Sequence, residues 1–417
     1  MSRHVILHVG DLHICSTHPR NADRLAALDQ VIDAVRQIDD LAAIVIPGDL
    51  FHQKSTVEDR NALAPRLQDL AGPAGAPVVL TYGNHDAPGD LEIFDRLETH
   101  WPIYVVNRAH VLTIRTRTGI EAAIFVLRYP HKAGLVGAGV EHEQLGQTAR
   151  ELLEPIFIEA AATLEESAAA GALPLMIGHI NVGGSTASSG QPQIGQELEL
   201  DPALLARLGP IYKGLNHIHR HQTVAGAVYA GSVCRLDFGE REPKGFIEVE
   251  YQRDGAAWEH RWRFVPLDVP RMVKVVGRLT REAFTIREID GETADGADAS
   301  VWRGADIKVA YAYRKSEIGA LDLAKIHAEF AEARSLVLDP QPELDHEVRA
   351  PEIAAAATLE DKVEAFCALN QIAVTDHVRA CLAALQGNDS ASLLAQVRTF
   401  AAAAGADEPV AQMSEVA

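Results

Sequence analysis

Carboxylate, imidazole and amide side chains recur in this sequence directly behind short apolar runs. Asp11 and His13 stand in GDLH, Asp49 in GDLF, Asn84 and His85 in GNHD, His179 in GH, and His217 and His219 in NHIH. Asp11/His13 and His217/His219 are each two residues apart, a spacing that aims both side chains to one side of an extended backbone. Together these groups suit Mn2+, Fe2+ or Zn2+ better than Ca2+, and no thiolate is required. Two such ions about 3.5–4 Å apart clamp a phosphate and activate a water between them. A pair of ions needs a shared carboxylate, and Asp49 is the natural one because Asp11 is already paired with His13. Glycine beside most of these residues lets the backbone turn sharply. On this reading Asn84 is a metal ligand and His85, next to it, is a candidate acid. A lone Gly-Asp or Gly-His is an ordinary turn. Five such elements, each behind an apolar run, call for a common purpose.

The elements that must position them follow from periodicity. HVILHVG, LAAIVIPGD, APVVLTYGNHD and ALPLMIGH are β-branched or aliphatic runs of buried-strand length that close on glycine and a polar residue. Helical patterns lie between them: ADRLAALDQVIDAVRQI, RNALAPRLQDLA with Pro65 inside it, LEIFDRLETH, and a longer one over Glu143–Ala169. The alternation predicts an α/β fold of sheets covered by helices, with ligands bound beyond the carboxyl ends of the strands. From Thr223 to Val265 the texture changes to consecutive strands. A linker at Pro266–Pro270 then leads to a small α+β unit with strands in MVKVVGRL and ADIKVAYAY and a helix in LDLAKIHAEFAEARS. LDPQPELDHEVRAP reads as a second linker, followed by Ala/Leu-rich helices in TLEDKVEAFCALN, TDHVRACLAALQ and SLLAQVRTFAAAA and a polar tail. The expected domains are 1–265, carrying the site, a capping domain at 271–341, a helical module at 352–403, and a disordered tail at 404–417.

Composition narrows the classes. A chain of 417 residues exceeds one ordinary core, and 47% hydrophobic with 23% charged residues is a globular balance. No stretch approaches the ~18 apolar residues of a membrane span and the start lacks a signal-peptide run, so a cytoplasmic protein without membrane attachment is expected. Cys15, Cys234, Cys367 and Cys381 are scattered, which excludes a disulfide framework and a zinc knuckle. The net charge of −20 argues against bulk electrostatic gripping of nucleic acid. Any basic strip must come from residues flanking the motif loops, such as Arg20, Arg24, Lys54, Arg60, Lys132 and Arg220. His18 and His221, near the motifs, read as loop residues.

The order of the motifs resembles the calcineurin-like metallophosphoesterases. GDLFH, NADRLAALDQVIDAV and YAGSVCRLDFGEREPKGF (Tyr229–Phe246) look most like the SbcD-type nuclease subunit of double-strand-break repair complexes. The likeness covers about Ser2–Val265. It implies a two-sheet sandwich flanked by helices, with a small α+β capping domain and C-terminal helices beyond. It further implies that Asp11, His13, Asp49 and His219 hold one metal and Asp49, Asn84, His179 and His217 the other. His85 would stabilise the phosphate and assist the leaving oxygen, and His52 matches a position that orients DNA. Ser232 and Arg235 read as structural support. The family places Gly where this chain has Asn216, a residue that tolerates a left-handed backbone. The expected protein is a Mn2+-dependent DNA nuclease subunit with two divalent ions, a homodimer working with an SbcC-like ATPase. A phosphoesterase for small phosphodiesters or phosphoproteins, and a scaffold that has lost its chemistry, are the alternatives.

Overall fold

The computed structural model of the chain describes residues 3–130, 145–188, 191, 198–255, 257–294, 300–343 and 351–387. Lys132, the helix expected in SLLAQVRTFAAAA and the tail from 404 lie outside the described residues. The strands up to Pro266 are Arg3–Val9 (β1), Leu41–Pro47 (β2), Val78–Thr81 (β3), Ile103–Val106 (β4), His110–Arg115 (β5), Glu121–Leu127 (β6) and Leu173–His179 (β7). They continue as Asn181–Val182 (β8), Glu199–Leu200 (β9), Tyr212–Asn216 (β10), Gln222–Val224 (β11), Ala227–Tyr229 (β12), Gly245–Asp254 (β13) and Ala257–Pro266 (β14). One sheet has the order β14-β13-β1-β2-β3-β4, the other β11-β12-β10-β7-β6-β5.

Side-chain alternation explains why two sheets stack. In β1, Val5, Leu7 and Val9 point to an outer core shared with Leu28 and Val31 of helix α1 (Asn21–Val35) and Leu63 and Leu67 of α2 (Val57–Leu70). Ile6 points the other way, into an inter-sheet core with Val45, Val79, Ile124, Ile177 and Ile247. The far face of the second sheet buries Phe125 and Met176 under Phe157 and Leu164 of the helix Leu145–Ala169. The result is an α/β sandwich of two sheets flanked by helices, the metallophosphoesterase-like arrangement. Helix α2 starts on a capping box, in which Thr56 and Asp59 satisfy each other's backbone N–H groups. Its Leu67 is fully buried, so Leu67→Ala would cost about 2–5 kcal/mol through the cavity it leaves.

β1, β2 and β3 run parallel, as do β7 and β10. Their carboxyl ends therefore open onto the same edge of each sheet, and every motif residue sits at one of those ends.

Three local readings of the sequence are corrected. LEIFDRLETH forms only a 3-10 turn at Phe94–Arg96, because tertiary bonds claim the segment: Asp90 accepts from Ser55 N at 2.6 Å and Tyr82 Oη from Leu91 N at 3.2 Å. The helix in LDLAKIHAEFAEARS is confined to Ala324–Glu329. The first part of LDPQPELDHEVRAP is strand, not linker. It belongs to a third sheet formed by Met272–Leu279 (β15), Phe284–Ile289 (β16), Glu292–Thr293 (β17), Asp306–Arg314 (β18) and Ser335–Glu343 (β19), ordered β17-β16-β15-β18-β19. Pro340 and Pro342 are tolerated because β19 is an edge strand. This sheet has its own core, in which Val275, Ile307 and Val309 meet Trp302, Ile326 and Phe330.

Residues beyond Glu343 form a separate compact unit. Its described helices are Pro351–Ala355, Leu359–Leu369 and Asp376–Gly387, the second opened by a Thr358/Asp361 capping box. Cys367 and Leu382 are buried, whereas Leu359, Phe366 and Leu369 stay exposed. Among the described residues no helix is long and apolar enough to cross a membrane.

Candidate metal centre

The loops that leave β1, β2 and β3 are bonded into one floor. Leu12 N and His13 N both donate to the Asp49 carbonyl at 3.0 Å, and Ile14 N donates to the Leu50 carbonyl at 2.9 Å. Three of the motif residues, none of them glycine, adopt the left-handed region: His13 at φ 49°, Asp49 at 51° and His217 at 99°. Such backbone is costly and persists where the surroundings over-determine it. The strained residue of the last pair is therefore His217 and not Asn216, which lies in β10 and has no positive φ. Asn216 works through its side chain instead: Nδ2 donates to the Val9 carbonyl at 3.2 Å and Oδ1 lies 3.0 Å from His8 Nε2. Glycine is required where the floor is tightest. A Cβ on Gly83 would fall 2.0 Å from Asp49 Oδ1, and one on Gly48 2.4 Å from His179 Nδ1.

These constraints bring all of the sequence-predicted ligands together. Asp49 lies at the centre, with Oδ2 3.5 Å from His13 Nε2 and 3.3 Å from His179 Nε2. Asn84 Oδ1 is 2.9 Å from His179 Nε2 and 3.0 Å from His217 Nδ1. Asp11 Oδ1 accepts from His217 N at 3.2 Å and lies 3.6 Å from His179 Nδ1. The His13 and His219 rings are 5.0 Å apart. His85 bonds through its backbone N to Asp49 Oδ1 at 2.9 Å, and its Nδ1 faces the His52 carbonyl at 2.6 Å. The ligand atoms of Asp11, Asp49 and His179 lie within 4.8 Å of one another, as do those of His13, His52 and His85.

The site is under-satisfied in a way that fits cations. Asp11 Oδ2 and His13 Nε2 are buried and have no hydrogen-bond partner. Buried polar atoms are rarely left so, and each costs its desolvation unless a ligand meets it. Charge points the same way. Burial would raise the Asp49 carboxyl, but the His179 charge and hydrogen bond, with His13 behind them, hold it well below its ordinary value. Burial would lower His179, yet Asp49 and Asp11 lift it to about 9. Asp11 is raised by burial, with the Asp49 charge adding to it. His179 thus stands between two carboxylates, Asp11 and Asp49, a surplus of buried negative charge that a divalent ion would offset. His13 is held well below its ordinary value by burial, which leaves it the neutral imidazole that coordination needs.

A second layer that the sequence did not single out holds the first. His219 Nδ1 meets Glu240 Oε1 at 3.0 Å, and Glu240, fully buried, is neutralised by Lys244 at 2.9 Å. Asp86 accepts from Phe51 N at 3.0 Å and Gly83 N at 2.9 Å, tying two motif loops together. Gln191 donates to the His217 carbonyl at 2.6 Å and accepts from His219 N at 3.1 Å. Two of these had a trace in the sequence, since Glu240 and Lys244 fall within Tyr229–Phe246 and Asp86 closes GNHD; Gln191 had none. Arg235 is structural as expected: it donates to the Glu240, Val269 and Pro270 carbonyls. Ser232 likewise donates to the Cys234 carbonyl at 2.9 Å.

A cleft of about 330 Å3 opens on the cluster, lined among others by Asp49, Asn84, His85, His217 and His219. His52 and His18, the latter in the loop before α1 as expected, also line it. Burial, with the Arg24 charge behind it, lowers each of these two imidazoles to about 4. His221 faces elsewhere, its Nδ1 2.8 Å from the Tyr229 carbonyl and its ring stacked on Phe264. The expected basic strip is largely dismantled. Arg24 is buried and donates to the His13 carbonyl, Arg20 pairs with Asp306 at 3.2 Å, and Arg60 is bonded to Ser55. Lys54 and Arg220 remain exposed.

Residues 4–133 match the family model of the calcineurin-like phosphoesterases. That family binds two divalent metals and hydrolyses phosphoesters, and the two His/Asp groups described above are of a kind that could hold a metal ion. No curated protein matches the chain closely enough to count as a relative.

Proposed function

We propose, from the premise of a calcineurin-like phosphoesterase domain, that this chain is a Mn2+-dependent DNA nuclease subunit that hydrolyses phosphodiesters and works, as a homodimer, with an SbcC-like ATPase. The observation that carries the hydrolytic core is the convergence on Asp49: one buried carboxylate lies 3.5 Å from His13 Nε2 and 3.3 Å from His179 Nε2, with Asn84 Oδ1 between His179 and His217. The orphaned Asp11 Oδ2 and His13 Nε2 fit this cluster to a cation. Seven oxygen and imidazole donors with no thiolate suit Mn2+. When bound, the ions supply Lewis-acid charge to the phosphoryl oxygens and lower the pKa of an attacking water.

The chain's own residues then do the rest. Asp49, fixed by the His85 backbone N–H, keeps its carboxylate near both His13 and His179. His85 faces the His52 carbonyl through Nδ1, so the proton it gives the leaving oxygen must sit on Nε2. Glu240 accepts from His219 Nδ1 and fixes Nε2 as the coordinating nitrogen. The DNA and ATPase parts of the proposal draw support from what lies outside the hydrolytic core. The third sheet, with β15–β19, and the helices after Pro351 are additions that a small substrate does not require. Leu359, Phe366 and Leu369, exposed on one helix, suit a groove on a partner.

The test sets linear duplex DNA with Mn2+ beside a cyclic-nucleotide assay. Cutting of DNA that stops in excess EDTA supports the proposal. Hydrolysis of the small phosphodiester alone transfers the chain to the alternative class, and robust DNA cutting in EDTA sinks the two-metal core. Deleting residues 352–417 should spare cutting of short substrates and abolish co-purification with the ATPase. Unchanged binding by that truncated chain would remove the helices from the partner site.

A further inference from the structure

Arg24 is 1% exposed, yet it lines the cleft. Its Nη1 donates to the His13 carbonyl, and its Nε is buried without a partner. Buried guanidinium groups ordinarily sit against a carboxylate. Here the nearby acids are engaged elsewhere. Asp23, its neighbour in sequence, is turned to Arg334 in a bidentate pair at 2.6 and 2.7 Å. Glu240 is held by His219, Lys244 and the Leu236 N–H, and Asp237 accepts from Gly239 N at 3.1 Å.

Two histidines share this wall, and their tautomers follow from their partners. His18 Nδ1 accepts from Arg20 N at 3.2 Å, which places its proton on Nε2. His52 Nδ1 lies 3.3 Å from His13 Nδ1. With His13 Nε2 bare toward Asp49, its Nδ1 carries the hydrogen and His52 Nδ1 accepts it, so the His52 proton is also on Nε2. The wall thus presents a guanidinium and two imidazole N–H groups, with no acceptor among them. The row leads away from the metal cluster: His52 stacks on His85 at 5.4 Å, and His18 follows at 6.0 Å from His52.

We propose that Arg24 and His18, beside the His52 that the family resemblance already assigns to DNA, complete an anion subsite for the phosphate that neighbours the scissile one, so that the cleft selects strands carrying consecutive phosphates. The inference rests on the phosphodiesterase reading above and names its substrate class more closely. A wall of donors beside a hydrolytic centre accepts a phosphate through charge-assisted hydrogen bonds, although Asp237 and Glu240 line other parts of the same cleft. A second phosphate is what distinguishes a polynucleotide from an isolated ester.

The full chain with Mn2+ is tested on thymidylyl-thymidine with no terminal phosphate, a 5′-phosphate or a 3′-phosphate. One phosphorylated form should be preferred in kcat/KM by about tenfold or more, the value of one charge-assisted contact. His18→Leu should shrink that ratio, and His18→Gln, which keeps a donor, should restore part of it. Arg24→Lys should shrink it further, with its metal count measured in parallel because Arg24 also holds the His13 carbonyl. Equal rates on all three dinucleotides in the wild type, or a ratio unmoved by His18→Leu and Arg24→Lys alike, overturns the subsite. Failure to cut any of them defeats the phosphodiesterase reading instead. Calorimetry then still decides the subsite: thymidine 3′,5′-bisphosphate binding no more tightly than thymidine 5′-monophosphate rejects it.

Discussion

Asp306 and Asp11 are both buried carboxylates of one compact unit, and their surroundings treat them oppositely. Both oxygens of Asp306 are taken: Arg334 and Ser335 donate to Oδ1, and Arg20 and Arg334 to Oδ2. Arg334 reaches on to Asp23 at the start of α1, so the cluster pins the third sheet to the sandwich. Asp11 has one oxygen on a backbone N–H and the other on nothing. Burial would raise the Asp306 carboxyl, but its hydrogen bonds to Arg334 and Ser335 bring it below the ordinary value, whereas Asp11 stays raised. A charge cluster that closes on itself is a joint. One that leaves atoms open is a receptor, and the two look alike in composition.

The comparison breaks most visibly at Asp49. Asp49→Ala should abolish hydrolysis and release bound metal while the chain still melts cooperatively. A parallel loss of activity and stability would make the cluster a joint after all. His85→Ala should come next, lowering turnover by ~10²–10⁴ for a lost general acid, with metal count and DNA binding kept. Loss of both ions in that variant would move His85 among the ligands. Third, an open receptor must be stabilised by what fills it. Mn2+ at a hundredfold excess over its Kd should add about 2.7 kcal/mol and raise the melting temperature by several degrees, reversed by chelator. A melting temperature indifferent to Mn2+ would contradict the orphaned atoms.

The smallest effect belongs to the joint. Asp306→Asn should cost about 1–3 kcal/mol, seen as faster hydrogen exchange in β15–β19, with hydrolysis of a small phosphodiester largely retained. Because the folded Asp306 value lies below the ordinary 3.8, its contribution is complete above that value. It fades as pH falls through the folded value. Third-sheet exchange in the wild type should therefore quicken in that acid window, and in Asp306→Asn it should not.

The ligands were legible because each announces itself locally. Asp11, Asp49, Asn84 and His179 close apolar runs, and parallel strands deliver such ends to one edge without further information. Glu240 and Arg24 carry no such signature. Their partners, His219 and the His13 carbonyl, are reached only through the folded loops, so periodicity is silent about them. Arg24 shows the cost: flanking a motif, it read as surface charge and is buried. LEIFDRLETH failed for the opposite reason, since its helical period is real but Asp90 and Tyr82 bind the segment to the motif loop. The prolines of β19 likewise read as linker, because an edge strand is a property of the sheet and not of the residue.

The left-handed backbone at His13, Asp49 and His217 has a consequence for anyone reshaping this protein. Each such position carries about 1–3 kcal/mol of strain, and the three together approach the whole margin by which a domain stays folded. Glycine would relieve all three. Selection for thermal tolerance alone would therefore drive the lineage toward glycine at these sites, erasing a carboxylate and two imidazoles. Libraries screened on heat resistance should enrich inert survivors, and only a screen that also reads turnover will keep the centre intact.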